Sequence, residues 1–186
     1  FNAVAKGMHQ LAEELGVKFK VKEEVTEIRT ENNHATAVIT KNSVLKADIV
    51  ISGADYAHTE TLLKSTEQNY TKEYWQKKTF APSSFLYYVA FDKKVPQLQH
   101  HNLFFDTDFS RHAEEIYDTK TFPKKPLFYA NFSSKTDDSL CPEGKEVGFF
   151  LIPVAVDLED SKEIHDQYFE LIMDRIEKNT GENLRN

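Results

Sequence analysis

One cysteine in 186 residues, Cys141, leaves no route to an intramolecular disulfide framework and sets a reducing, cytoplasmic compartment as the expectation. It stands before Pro142, Glu143 and Gly144, a turn-forming run rather than a nucleophile's setting. Glycine is scarce too. None of the six falls in GxGxxG or GxxxxGK[ST] spacing, so no phosphate-cradling loop is present. No apolar run approaches the ~20 residues that span a bilayer. The longest, 147–156, contains Pro153 and reads as a buried strand. Positive charge is not concentrated: net charge is −7, and Lys72, Lys77 and Lys78 share their stretch with Glu73. That excludes a nucleic-acid partner and leaves a solvated helix face.

Chemical motifs are equally sparse. No Gly-x-Ser-x-Gly elbow occurs, and Ser83-Ser84 after Pro82 reads as a strand entry. His100 and His101 are neighbours that a strand would point to opposite faces, one half-buried and one exposed, so no metal site is expected. Thr136-Asp137-Asp138 reads as a solvated turn. Aromatics are the one excess: 14 Phe, 8 Tyr and 1 Trp. An aromatic core accounts for them, and so does an apolar tunnel for a long hydrophobic ligand.

The periodicities give an α+β order. Val4, Met8, Leu11 and Leu15 recur at helical spacing, with Gly16 as the stop. Val17, Phe19 and Val21 alternate with lysines as a strand would. Runs 25–30 and 35–40 make a hairpin across Glu31-Asn32-Asn33-His34, and Lys41-Asn42 turns into Val44-Leu45. Ile49-Val50-Ile51 reads as a strand covered on both faces. Asp55 and Thr71 suit helix N-caps, the first for a helix reaching Leu62-Leu63. Further strands are expected at 84–91, 102–105, 127–132 and 147–154. Asp108 caps a helix with Phe109, Ala113, Ile116 and Tyr117 on one face. Asp160 with Glu163 opens a long helix carrying Ile164, Tyr168, Leu171 and Ile176. Composition shifts from aliphatic to aromatic near Asp55, which suggests a division into residues 1–55 and 56–186. The start, without Met, suggests a chain cut from something longer.

Several segments occur together in a family order: Leu11-Ala12-Glu13-Glu14-Leu15-Gly16-Val17, Val25-Thr26-Glu27-Ile28 and Ala47-Asp48-Ile49-Val50-Ile51-Ser52-Gly53-Ala54-Asp55. Downstream follow Ala81-Pro82-Ser83-Ser84, Leu98-Gln99-His100-His101-Asn102-Leu103-Phe104-Phe105, Cys141-Pro142-Glu143-Gly144 and Leu151-Ile152-Pro153-Val154. In this set the chain resembles the phytoene and carotenoid desaturases, FAD-dependent amine-oxidase-like flavoproteins. Gly53 stands where the family usually has Asn, and Cys141 where it has Ala. The resemblance implies an α/β-type portion of an FAD domain up to Asp55, with the Val25 main chain beside the adenine. It implies a mixed-sheet substrate domain with flanking helices after it, facing a long apolar polyene. FAD belongs to the full-length parent, and none is expected on this chain alone. Peripheral contact with a membrane surface is implied for the parent, and self-association for the isolated chain. A related isomerase, oxygenase or retinol-saturase-like enzyme shares the motifs. A non-redox module for apolar ligands is the alternative from another class. Catalytic residues stay unassigned.

Overall fold

The computed structural model describes residues 2–185. It divides into two compact units between Lys78 and Thr79. The compositional shift near Asp55 therefore falls inside the first unit. The segment after Asp55 stays with the first sheet because the Ile28 amide donates to the Leu62 carbonyl at 2.8 Å.

In the first unit, α1 (Asn2–Glu14) ends where Gly16 takes φ +87° and the Val17 amide returns to the Ala12 carbonyl. Its apolar residues Val4, Met8, Leu11 and the following Leu15 are exposed. An antiparallel meander follows: β1 (Val25–Glu31), β2 (His34–Thr40) and β3 (Val44–Lys46). Asn32 and Asn33, at φ +51° and +63°, form the two-residue turn that Asn tolerates. The Thr40 hydroxyl accepts from the Ser43 and Asn42 amides and closes the second turn. Asp55 caps α2 (Tyr56–Thr61), and Thr71 caps α3 (Lys72–Gln76). α2 stops at Thr61, short of Leu62-Leu63. Buried Glu60 ties these helices together. Burial alone would raise its pKa, but bonds from the Tyr70 amide and from the Asn69 side chain and amide outweigh it and hold the carboxyl below its ordinary range.

Two expected strands do not form. Residues 17–21 and 49–51 join neither sheet, and Ile51 is 92% exposed. Alternation and β-branching make a segment fit for a sheet, but a strand exists only where a neighbour takes its backbone groups. The first unit is thus an antiparallel meander with helices, without the parallel pairing of an α/β portion.

The second unit holds β4 (Ser83–Phe91), β5 (His101–Phe104), α4 (Phe109–Tyr117), β6 (Phe128–Asn131), β7 (Glu146–Val154) and α5 (Lys162–Thr180). Its sheet runs β4-β7-β6-β5 and is antiparallel throughout, not mixed. β6 and β7 are joined by the 132–145 stretch, whose two short helical turns at Ser133–Lys135 and Asp138–Leu140 bring the chain back antiparallel to β6. The α+β class holds. Phe85, Phe91, Phe128, Phe150 and Ile152 from one face of the sheet pack with Tyr168, Ile172, Met173 and Ile176 of α5. The Tyr87 hydroxyl donates to the His165 carbonyl at 2.9 Å. Burial, with Asp166 nearby, pushes that phenol up to about 12.

Two helix readings need correction. The inward face of α4 is His112 and Ile116, while Phe109 and Tyr117 are exposed. His112 fits inside because its Nδ1 accepts the Leu127 amide at 3.4 Å. The N-cap of α5 is Ser161, whose hydroxyl accepts the Ile164 amide. Asp160 turns instead to His165 Nε2 at 2.6 Å. Gly181, at φ +74°, ends the helix.

Candidate functional site

Strand side chains alternate, so a sheet with one face in the core shows the other to its surroundings. On β4 the odd-numbered Phe85 to Phe91 face the core, which turns Leu86 and Tyr88 outward. β7 sends Phe149, Leu151 and Pro153 the same way, β6 sends Tyr129 and Asn131, and β5 sends His101 and Leu103. The register lines them up in two rows. Leu86, Leu151, Tyr129 and Leu103 form one, and Tyr88, Phe149, Asn131 and His101 the other. Ser84 opposite Pro153 begins a third. Tyr88 and Phe149 meet with ring centroids 5.2 Å apart, and Tyr88 is 79% exposed. None of these positions carries Asp, Glu, Lys or Arg. Among the described residues of this face Leu86, Tyr88, Leu103 and His101 are exposed and Tyr129, Phe149 and Leu151 half-buried, and clustered exposed apolar residues mark a binding surface.

One corner is polar. Tyr129 Oη lies 2.6 Å from His101 Nδ1, and Asn131 Nδ2 donates to Tyr129 Oη at 2.9 Å. Asn131 Nδ2 also lies 3.3 Å from His101 Nδ1. The phenol and the Asn131 amide can both donate to His101 Nδ1, and in the tautomer that accepts from them Nε2–H is the ring's donor.

His100 is half-buried and His101 exposed, as expected, yet their rings lie only 4.2 Å apart. His100 precedes β5, so strand alternation does not separate the pair. Its Nδ1 engages Thr136 Oγ1 at 2.8 Å instead of joining His101 on an ion. Among the described residues no group of His, Cys, Asp and Glu is placed to hold a metal. Asp137 accepts from the Ser139 hydroxyl and amide, which hold its carboxyl below the ordinary range in a turn role. The Cys141 thiol donates to the Lys145 carbonyl. Val25 opens β1, an edge strand of its sheet, and is exposed. A groove of about 1180 Å³ runs beside α5, but Asp106, Lys124, Lys125, Asp166, Glu170 and Asp174 line it, which suits no hydrocarbon.

The sequence reading missed Tyr129, Asn131, Leu86 and the pairing of rows. A signal was available in β7, where apolar residues fill both phases of the alternation and so predict a strand apolar on both sides.

Over residues 1–183 the chain matches the model of the flavin containing amine oxidoreductases. It is 39% identical to a carotenoid 3,4-desaturase of Haloarcula japonica across 98% of this chain and 37% of that protein. It is 32% identical to a zeta-carotene-forming phytoene desaturase of Myxococcus xanthus, over 82% of this chain and 29% of the relative. A 4,4'-diaponeurosporene oxygenase of Staphylococcus haemolyticus is 30% identical over 94% of this chain and 36% of its own. The chain thus spans little more than a third, at most, of these relatives' length. Among solved structures, an oxidoreductase from Methanosarcina mazei superposes with a TM-score of 0.64 at 17% identity, covering 95% of this chain and 38% of that one, a likeness of fold. The chain belongs to the flavin-containing amine oxidoreductase family, where it groups with the carotenoid and phytoene desaturases.

Proposed function

We propose that this chain supplies the substrate-binding sheet of an FAD-dependent carotenoid desaturase. The observation that carries the reading is the open face of β4, β7, β6 and β5, free of Asp, Glu, Lys and Arg, with Leu86, Leu151, Tyr88 and Phe149 in two adjacent rows. A linear polyene has no group that hydrogen-bonds along its length, so its binding surface must bury carbon against carbon and exclude charge. Desaturation also requires one carbon pair to be held in register with the oxidant, and a broad, ridged wall can do that by shape.

FAD, when bound, would supply the two-electron oxidation that turns a C–C bond into C=C. The residues fit a role at its adenine. β1 is an edge strand, so the main chain of Val25 is open on the side away from β2 to a base edge. The sheet face of the second unit would bind and orient the polyene and keep water from it. A substrate dissolved in lipid also favours peripheral association of the whole enzyme with a membrane surface, on the cytoplasmic side. Among the described residues no helix is long and apolar enough to cross a membrane. The exposed apolar residues of α1, together with Ile49 and Ile51, favour self-association of the chain alone.

The test is expression of the longest reading frame containing this chain in cells that accumulate phytoene. New conjugated double bonds, seen as absorption moving into the visible, are the expected product. Leu151→Asp should lower their yield on the order of tenfold by putting a charge against hydrocarbon. Oxygenated products without new double bonds would replace this reading with the oxygenase one, which the 30% identical Staphylococcus haemolyticus relative favours.

A further inference from the structure

The outer strands of a sheet carry unpaired backbone groups, and proteins guard such edges with charge, bulges or brevity. Among the described residues the two sheets end on β1, β3, β4 and β5. β1 is guarded by two register shifts and by Glu27, Arg29 and Glu31. β3 is three residues long and carries Lys46, and β5 is four residues long. β4 has none of these devices. It runs nine residues, Ser83–Phe91, without charge or proline, and opposes β7 residue for residue with no shift. Its ladder is with β7 alone, and among the described residues no backbone-to-backbone bond outside that ladder involves it. One edge about 30 Å long is therefore open to a further strand.

We propose that the free edge of β4 pairs antiparallel with β4 of a second copy of this chain, about a two-fold axis at Tyr87. This surface is separate from the α1 residues that favour self-association, and the pairing does not depend on what the sheet face binds. The strand suits itself. The register centred on Tyr87 is the one that pairs all nine residues, and it sets Leu86 opposite the partner's Tyr88 and Phe85 opposite the partner's Val89. Aromatic and aliphatic cross-strand pairs of this kind stabilise a ladder, and no like charges meet in it. The next position would set Asp92 against the partner's Pro82, which has no amide to give, so the ladder ends there. A two-fold contact is also closed. The two four-stranded sheets join into one whose outer strands are the short β5 of each copy, so growth stops at the dimer. On the open face, the row that ends at Leu86 then runs on into the partner's row that begins at Tyr88.

The test is sedimentation of the 186-residue chain over a range of concentrations, with residue-resolved amide exchange on the same samples. The wild type should sediment as a dimer when concentrated and as a monomer when dilute. Every second amide of β4 should exchange faster on dilution, which stacking of sheet faces would not produce. Leu86→Lys with Tyr88→Lys sets lysine against lysine on both sides of the axis and should weaken the dimer about tenfold. Leu86→Lys with Tyr88→Glu alters the same two positions but sets lysine against glutamate, and should restore it. Both side chains are exposed, so thermal midpoints close to wild type will show that the variants fold. A chain that is monomeric at every concentration, or a dimer whose β4 amides all exchange freely, overturns the pairing. A dimer that survives the lysine pair and is lost in Met8→Ser with Leu11→Ser assigns the association to α1 and overturns it as well. A lysine–glutamate variant that stays monomeric overturns the axis at Tyr87.

Discussion

Lys135 Nζ meets Glu146 Oε1 at 2.7 Å where Glu146 is almost wholly buried, and both join the Val95 backbone. The lysine donates to the Val95 carbonyl at 2.6 Å, and the carboxylate accepts the Val95 amide at 3.1 Å. The pair thus clamps the loop after β4 onto the start of β7. Removing one partner strands the other's charge in the interior. Lys135→Met should cost about 3 kcal/mol, less whatever solvent reaches the partly exposed lysine. Urea unfolding of the variant checks it. The double variant Lys135→Met, Glu146→Leu should recover much of the loss; no recovery would mean that the clamp acts through something other than charge.

Gly148 faces the core from β7. A methyl group there would stand 2.9 Å from Phe91 Cε2 and 3.0 Å from Phe150 Cζ, and both rings are buried. Gly148→Ala should destabilise by about 1–3 kcal/mol through overpacking. A thermal midpoint equal to wild type would show that the two rings can yield.

His112 gives the second unit an acid sensitivity. Burial lowers its pKa; Glu115 opposes that shift and Arg175 adds to it. Below the unfolded value near 6.5 the unfolded chain takes up a proton that the folded chain resists, so stability rises with pH across that window. The contribution is complete above about pH 6.5 and is lost as pH falls toward the folded pKa. Denaturant midpoints of wild type and His112→Gln, measured between pH 5 and 8, should show a shallower acid slope in the variant. Parallel curves would assign the slope to other groups.

Ser161, rather than Asp160, holds the first turn of α5. Ser161→Ala should cost about 1 kcal/mol, the usual worth of an N-cap. Asp160→Ala should cost less, since its partner His165 is reached across an exposed pair. Equal losses in chemical denaturation would argue that the Asp160–His165 pair also supports the helix start.

Local chemistry made much of this legible beforehand. Asp55, Thr71 and Asp108 cap helices because a short oxygen-bearing side chain can satisfy free amides wherever a helix begins. Asn32-Asn33 turns the chain because both tolerate positive φ. What escaped depends on partners distant in sequence. Residues 17–21 and 49–51 have the pattern of strands and lack the neighbours. The Asp160 reading failed by one residue, since Ser161 offers the same chemistry next door. Tyr129 and His101 stand 28 positions apart, and only the β5–β6 register brings them together. Beyond the aromatic excess and the doubly apolar pattern of β7, the open face was not legible, because alternation fixes which residues share a face but not which face is covered.

That alternation separates two kinds of constraint along one strand. Phe85, Phe150 and Ile152 answer to the helix behind them, while Leu86, Phe149 and Leu151, their immediate neighbours, answer to whatever lies in front. Substitutions on the second set leave the first untouched. The front of this sheet can therefore change in chemistry while its back, and the packing that rests on it, stays as it is.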